Sequence, residues 1–433
     1  MSSFDFSRER LIIFILGVGV CVFVCVSTLP ILNVSSSSSS RGSSLEIEES
    51  SSSAMTTRAP VSVLSGSSSS AVTTRAPVSV LPGSSSSAMT TRAPVSFLSR
   101  RDQLRPRGPV EEGAHLSPGF ACDLERSGTE WNLRCPTPLQ RRKRRARVFD
   151  CFPYGGEREM LAIRLLTLAN VVDYFMIAEG EQTMSGVSKP RHLWNDLQNG
   201  DPVVSQFADR IIYVDVPNTT TSTGWDREWF QRQMIPGSFS EYNISDDDVV
   251  ILADCDEIPR PELVRLVSES VLPRGAVVRA MMHFFYYTFF WECPFLWEIR
   301  IVSASLFGNV ARPVGGEIHE ARAKSNRDVS FGDLRRGSRV DVFVRNNGGW
   351  HCSWCFSLDE IIRKWRAHTE YESVPQVSRV ALEGRYKNGL DPLGRNIRYV
   401  KVCPNNAPYF FALPLAKEAR FQKLVNDTSK CRP

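Results

Sequence analysis

A chain of 433 residues with 42% apolar side chains can bury a sizeable core, which excludes a wholly disordered protein and allows one large domain or two small ones. Its formal charge of +5 is unevenly placed: residues 100–147 hold twelve Arg and Lys against six Asp and Glu, whereas everything from Val148 onward carries 34 basic and 36 acidic residues. Bulk charge therefore does not choose the ligand of the globular part and gives no support to nucleic-acid binding there.

Residues 1–10 form a short polar tail. Residues 11–32, LIIFILGVGVCVFVCVSTLPIL, contain no charged side chain and have about the length that spans a bilayer, so they predict a transmembrane anchor. The competing reading, a cleaved signal peptide, would use a shorter apolar run. Arg8 and Arg10 precede the span and the next basic residue is Arg41. That asymmetry puts the N-terminus in the cytoplasm and the rest of the chain across the membrane, a type II orientation.

Residues 33–121 repeat: SSSSAMTTRAPVSFLSR at 84–100 echoes SSSSAVTTRAPVSVLPG at 67–83, and Arg58, Arg75 and Arg92 recur every 17 residues. A period so short and so rich in Ser, Thr and Pro buries nothing, and it reads as an extended, O-glycosylated stalk. Residues 122–147, with RRKRR at 141–145, read as a basic solvated linker, or as an Arg-x-Lys-Arg site for a secretory protease. Asn-x-Ser/Thr sequons start at Asn33, Asn218, Asn243 and Asn426. They are usable only in a luminal chain, and the last three fall in the expected domain at 148–433. Nine cysteines lie outside the span, an odd number whose pairing spacing alone does not settle. Cys352 and Cys355 form a CxxC without a second ligand pair, which favours disulfides or buried thiols over zinc.

The globular part alternates. Buried strands are expected at 147–153, 171–180, 208–217 and 249–256, and a helix at 157–171, where Leu161, Leu165 and Leu168 share one face. Strand, helix, strand in this order implies parallel pairing and an α/β class. Ligands of open α/β sheets bind beyond the carboxyl ends of the strands. Those ends carry Asp150, Glu179 with Glu181, Asp215, and the group Asp254, Asp256, Glu257 in VVILADCDEIPRPE (249–262). One Asp there would be explained as the cap of a helix starting near Pro259, but three would not. Two carboxylates one residue apart at a strand end can hold Mg or Mn and so neutralise a diphosphate leaving group, the logic of nucleotide-sugar-dependent glycosyl transfer. HFFYYTFFWECPFLW (283–297) holds nine aromatics in fifteen residues, a density that favours core over a sugar-stacking platform, with Trp291 and Trp297 the first to test.

RVFDCFPYGGEREMLAIRLLTLANVVDYFMIAEG (147–180), QTMSGVSKP (182–190), ILADCDEIP (251–259), GGWHCSWCF (348–356), AHTEY (367–371) and LDPLGR (390–395) together resemble family 17 of the glycosyltransferases along nearly all of 147–425. The resemblance implies a Golgi type II membrane enzyme with a GT-A-like domain. Such an enzyme would transfer N-acetylglucosamine from UDP-GlcNAc, with inversion, in β-1,4 linkage to a mannose of a glycoprotein N-glycan. It also implies Asp254 and Asp256 at a divalent-metal site, Asp150 and Glu179 on the nucleotide side, and His351 followed by Trp354 where the C-terminal part closes over the donor. For His351 a buried, hydrogen-bonded ring is the competing role. Ala162 stands where many relatives have an acid, and 292–345 matches loosely. Inversion needs a base, for which Glu317, Glu320 and Asp341 are candidates by location. Other readings are a transferase of another sugar or acceptor, an inactive glycan-binding membrane protein, and a metal-dependent hydrolase, which the Cys151–Phe152 sequence after Asp150 disfavours.

Overall fold

The computed structural model describes residues 120–220, 223–272, 275–307, 342–368 and 377–402, together with Phe421 and Leu424. The expected anchor at 11–32 and nearly all of the stalk lie outside these residues. Among the described residues no helix is long and apolar enough to cross a membrane.

Strands β1 (Phe120–Ser127), β2 (Glu130–Arg134), β3 (Val148–Pro153), β4 (Tyr174–Gly180), β5 (Ile211–Val216) and β6 (Val249–Leu252) are joined by β8 (Val277–Tyr286), β10 (Trp297–Ser303) and β11 (Val342–Val344) in the order β2-β1-β11-β8-β10-β6-β3-β4-β5. The half running β6-β3-β4-β5 is parallel. Its crossovers are the helices α1 (Arg158–Leu168), α2 (His192–Asn199) and α3 (Gly224–Gln233). The class is thus mixed rather than purely parallel, because β10 runs antiparallel between β6 and β8.

Both faces of the parallel half are covered, so its strands read as largely apolar runs, interrupted by Asp150 in β3, Glu179 in β4 and Asp215 in β5. The period of two still sorts them. Val148, Phe152, Phe175, Ile177, Val249 and Ile251 face one core with α1, while Phe149, Cys151, Met176, Ala178, Val250 and Leu252 face the other with Phe230 and Met234. Helix α1 buries Met160, Leu161, Ala162, Ile163, Leu165 and Leu168, more than one face, as a helix enclosed by the core does.

The stretch 122–147 is not the solvated linker expected from its charge. It contains part of the β1–β2 hairpin, which joins the sheet by pairing β1 with β11. Cys122 and Cys135 are disulfide-bonded. Three of its arginines make ion pairs with the rest of the domain: Arg142 with Asp247, Arg145 with Asp173, and Arg147 with Asp248.

The aromatic run is mostly core. Phe284, Phe285, Tyr286, Tyr287, Phe289 and Phe290 are buried. Strand β8 changes partners along its length, pairing through Met282 with β10 and then with β12 (Gly349–Ser353). Strand β12 also pairs with β7 (Glu257–Pro259), setting His351 opposite Glu257 on one side and Phe284 on the other. Gly349 makes this possible: at φ 151° a Cβ there would collide with the Ile258 carbonyl oxygen and lie 2.7 Å from Pro259 Cα. Three separate sequence blocks meet here.

Candidate active site

The three carboxylates after β6 have three different surroundings, and one buried arginine organises them. Arg164 on α1 is fully buried. Its Nε and Nη2 donate to Asp150 at 2.7 and 2.6 Å, and its Nη1 donates to the carbonyls of Asp254 and Glu257 at 2.8 and 2.5 Å. Asp150 is itself buried, inside β3 rather than at its mouth, and both its oxygens serve Arg164. The pair is a brace that fixes the turn joining β6 to β7.

Glu257 is also buried. Its Oε1 accepts from Trp297 Nε1 at 2.6 Å and its Oε2 from the Asp254 N–H at 2.8 Å, so this acid shapes the turn and is not presented to a ligand. Asp254 keeps 31% of its side chain exposed and meets Arg232 Nη2 of α3 at 2.6 Å. Arg232 also meets Glu228 at 3.1 Å.

Asp256 is nearly enclosed. Lys364 Nζ lies 3.0 Å from its Oδ2 and His351 Nε2 lies 3.6 Å from its Oδ1. Burial pushes the Asp256 carboxyl upward, but Lys364 and then His351 outweigh it and leave the pKa lowered. For Lys364 burial opposes the charge, and Asp256 with Glu157, whose Oε1 is 3.5 Å away, overcomes it, so this ammonium's pKa is raised. The His351 ring stacks on Phe284 at 4.5 Å and tilts against Trp297 at 4.8 Å.

Lys364 comes from α5 (Leu358–Ala367), whose start is fixed by chemistry the sequence displays. Cys352 and Cys355 form a disulfide, in keeping with the CxxC expectation. Ser357 and Glu360 close a capping box directly after it, and Lys364 then lies on the following turn. The loop of QTMSGVSKP is tied to the far end of α5 by Ser185, whose N–H and hydroxyl donate to the carbonyls of Ala367 and Arg366.

Glu179, one residue before the end of β4, is buried and accepts from the N–H groups of Leu193 and Trp194 at 3.1 and 3.2 Å, with Lys189 Nζ at 3.6 Å. It caps α2, a helix that has no side-chain cap of its own. Burial raises its pKa against the opposing effect of Lys189 and those N–H groups. Arg191 spans Glu181 and Asp215. A pocket beyond β4 and β5 is lined by Gly180, Gln182, Val216, Asn218, Arg227 and Gln231.

Trp354 is buried at φ 59°, with Trp365 and His368 as ring neighbours. Of the sequons, Asn218 and Asn243 are exposed. Asn426 lies outside the described residues, as do the candidate bases Glu317, Glu320 and Asp341. The LDPLGR block is scaffolding: buried Asp391 accepts from Arg395 and from the Tyr399 hydroxyl.

A divalent cation wants several unclaimed oxygens converging at about 2.0–2.6 Å. Here Asp254 is engaged by Arg232 and Asp256 by Lys364, and among the described residues no group of three His, Cys, Asp or Glu is arranged to hold a metal ion. The donor set as it stands does not fit a metal cage.

Sequence reasoning missed Arg164, Glu157, Lys189, Arg232 and Lys364. Arg164 had a signal, since an acid flanked by apolar residues in VFDCF needs a buried cation. Lys364 had none, being 108 residues from Asp256.

The model of the family described as Glycosyltransferase family 17 matches residues 131–299. Relatives named beta-1,4-mannosyl-glycoprotein 4-beta-N-acetylglucosaminyltransferase align at 25% identity. Those of Rattus norvegicus and Mus musculus align over 289 residues, 62% of this chain and 52% of theirs. That of Homo sapiens aligns over 250 residues, 54% of this chain and 45% of its own. The chain spans about half the length of the curated relatives it matches. The family resemblance read from the sequence is borne out by these matches.

Proposed function

We propose that this chain, similar over residues 131–299 to glycosyltransferase family 17, transfers N-acetylglucosamine from UDP-GlcNAc in β-1,4 linkage to a mannose of a glycoprotein N-glycan, with inversion at the anomeric carbon. The observation that carries this reading is the braced turn after β6: it sets partly exposed Asp254 and enclosed Asp256 beyond the carboxyl end of the parallel strands, the first against Arg232 and the second against Lys364. Ligands of such sheets bind at that edge. A GT-A-like arrangement is supported by the strand order, with β3, β4 and β5 running outward, β6 on the other side, and antiparallel β10 between β6 and β8.

In the reaction the bond from the anomeric carbon to the β-phosphate oxygen breaks and its electron pair leaves with UDP. The acceptor hydroxyl oxygen bonds to the opposite face of that carbon and gives its proton to a carboxylate base. Charge grows on the diphosphate, and cations already fixed at the crevice stabilise it without reorganising. In this reading Lys364 and Arg232, held by Asp256 and Asp254, do so. Glu317, Glu320 and Asp341 remain the candidates for the base. A Mn or Mg ion at Asp254 and Asp256 would first have to displace Lys364 and Arg232.

The anchor expected at 11–32, with Arg8 and Arg10 before it and the sequons at Asn218, Asn243 and Asn426 after it, supports a single-pass type II protein whose domain is luminal, and the family resemblance implies the Golgi membrane. The test is to incubate the detergent-solubilised full chain with a panel of UDP-sugars and N-glycans and to weigh the products. Addition of one N-acetylhexosamine to a mannose, from UDP-GlcNAc, is expected. Absence of transfer and of UDP release with every donor would overturn the proposal.

A further inference from the structure

We propose that Lys364, rather than a divalent cation, is the positive charge that holds the donor's diphosphate at Asp254 and Asp256; the inference rests on the donor-transfer reading above. Each carboxylate around the turn already has a partner in the protein. Asp150 serves Arg164 with both oxygens, and Glu257 serves Trp297 and a backbone N–H. Asp254 has Arg232 at 2.6 Å, and Glu157 accepts the Gly155 N–H through Oε2 at 2.9 Å. Asp256 has Lys364 at 3.0 Å on one oxygen and His351 at 3.6 Å on the other. The carboxylate pair that an Asp-x-Asp pattern would offer to a metal is therefore offered to protein cations.

Lys364 suits the role on three counts. It is held between Asp256 and Glu157 and over the Phe356 ring at 4.9 Å, yet a quarter of its side chain remains exposed. It can reach a ligand without leaving its acids. It stands on a capped helix whose two ends are tied down, at one end by the Cys352–Cys355 disulfide and at the other by the Ser185 contacts, so its charge is positioned before the donor arrives. An ammonium is also a compact point charge with three donors, able to bond two carboxylates and a phosphate oxygen together. Asp256 then acts as a positioning residue for the lysine and not as a metal ligand. Arg232, aligned by Glu228 and Asp254, supplies a second cation from the opposite helix.

The experiment measures UDP binding to the detergent-solubilised full chain by calorimetry, once in chelator and once with Mn2+, alongside a Mn2+ paramagnetic resonance titration. The wild type is expected to bind UDP in chelator within about threefold of its affinity in Mn2+. Lys364→Met should lose roughly tenfold or more, the scale of one charge-assisted bond, while Lys364→Arg, which keeps the charge, stays within a few-fold of wild type on the same scale. Lys364→Met should also gain bound Mn2+ in the resonance titration, because Asp256 has been uncovered. The inference is overturned if Mn2+ tightens UDP binding to the wild type by about tenfold or more and Asp256→Asn abolishes that gain. It is equally overturned if Lys364→Met binds UDP as the wild type does. Failure to bind UDP with or without Mn2+ would instead remove the donor reading itself, and the inference with it.

Discussion

Replacing Arg164 by Met removes the brace under the turn while keeping an unbranched side chain of similar length. The guanidinium makes two bonds to buried Asp150 and two to the carbonyls of Asp254 and Glu257, and it lies 4.5 Å above the Phe152 ring. Taking one partner from a buried ion pair leaves an uncompensated charge and costs about 3–5 kcal/mol. Each orphaned buried carbonyl adds roughly 1–3 kcal/mol. For a domain of this size a loss of that order lowers the melting temperature by roughly 10 °C. The double variant Arg164→Met with Asp150→Leu removes the stranded charge but leaves the carbonyls unpaired, so about half of the loss should return. Calorimetry at neutral pH on wild type, single and double variants makes the comparison. A single variant melting within about 2 °C of wild type would refute the brace, and complete recovery in the double variant would refute the grip on the carbonyls.

Trp297→Phe keeps an aromatic ring, though a smaller one, and deletes the donor to buried Glu257 Oε1; it should cost about 1–3 kcal/mol in denaturant unfolding, and an unchanged midpoint would count against the turn's hydrogen-bond network. Gly349→Ala places a Cβ against the Ile258 carbonyl and Pro259; a loss of roughly 3 kcal/mol or more is expected, from strain plus overpacking, and a stable, soluble Ala variant would contradict the close approach of β12 to β7. The lowered Asp256 pKa gives a pH signature: its folded value lies below the ordinary 3.8, so its ionised form contributes stability that is fully present above that value and is lost as pH falls through the folded pKa. The stability difference between wild type and Asp256→Asn should be flat at higher pH and shrink below it; a difference that grows as the pH falls would reverse the assignment.

Much of the parallel half was legible because its strands are predominantly apolar runs with acids in or just after them. The expected 147–153, 171–180 and 208–217 became Val148–Pro153, Tyr174–Gly180 and Ile211–Val216. The strand expected at 249–256 stops at Leu252, since Ala253 onward bends to meet Arg164 and β12. The insertion of β10 between β6 and β8 was not legible, because nothing in WEIRIVS distinguishes one neighbour from another. The charge of 122–147 misled for a physical reason: arginines look solvated in a sequence, whereas Arg147 finds Asp248 and Arg142 finds Asp247 about a hundred positions away. At the site the acids were legible and their partners were not. Asp254 and Asp256 stand out at a strand end, but Arg232 and Lys364 arrive on separate helices. Only in the fold do Asp254 and Asp256 gain these cations as partners.

The proposed role of the turn holding Asp254 and Asp256 is to support sugar transfer from a nucleotide donor. Its most direct test is the initial rate of N-acetylglucosamine transfer to an N-glycan by wild type and by Asp256→Asn, each corrected for its folded fraction from a melt of the same preparation. Asp256→Asn keeps the shape but releases Lys364 from its anchor, and the stabilisation lost at the leaving group should slow transfer about a hundredfold, or close to 3 kcal/mol at 1.4 kcal/mol for each factor of ten. A folded Asn variant that transfers at the wild-type rate would contradict the account.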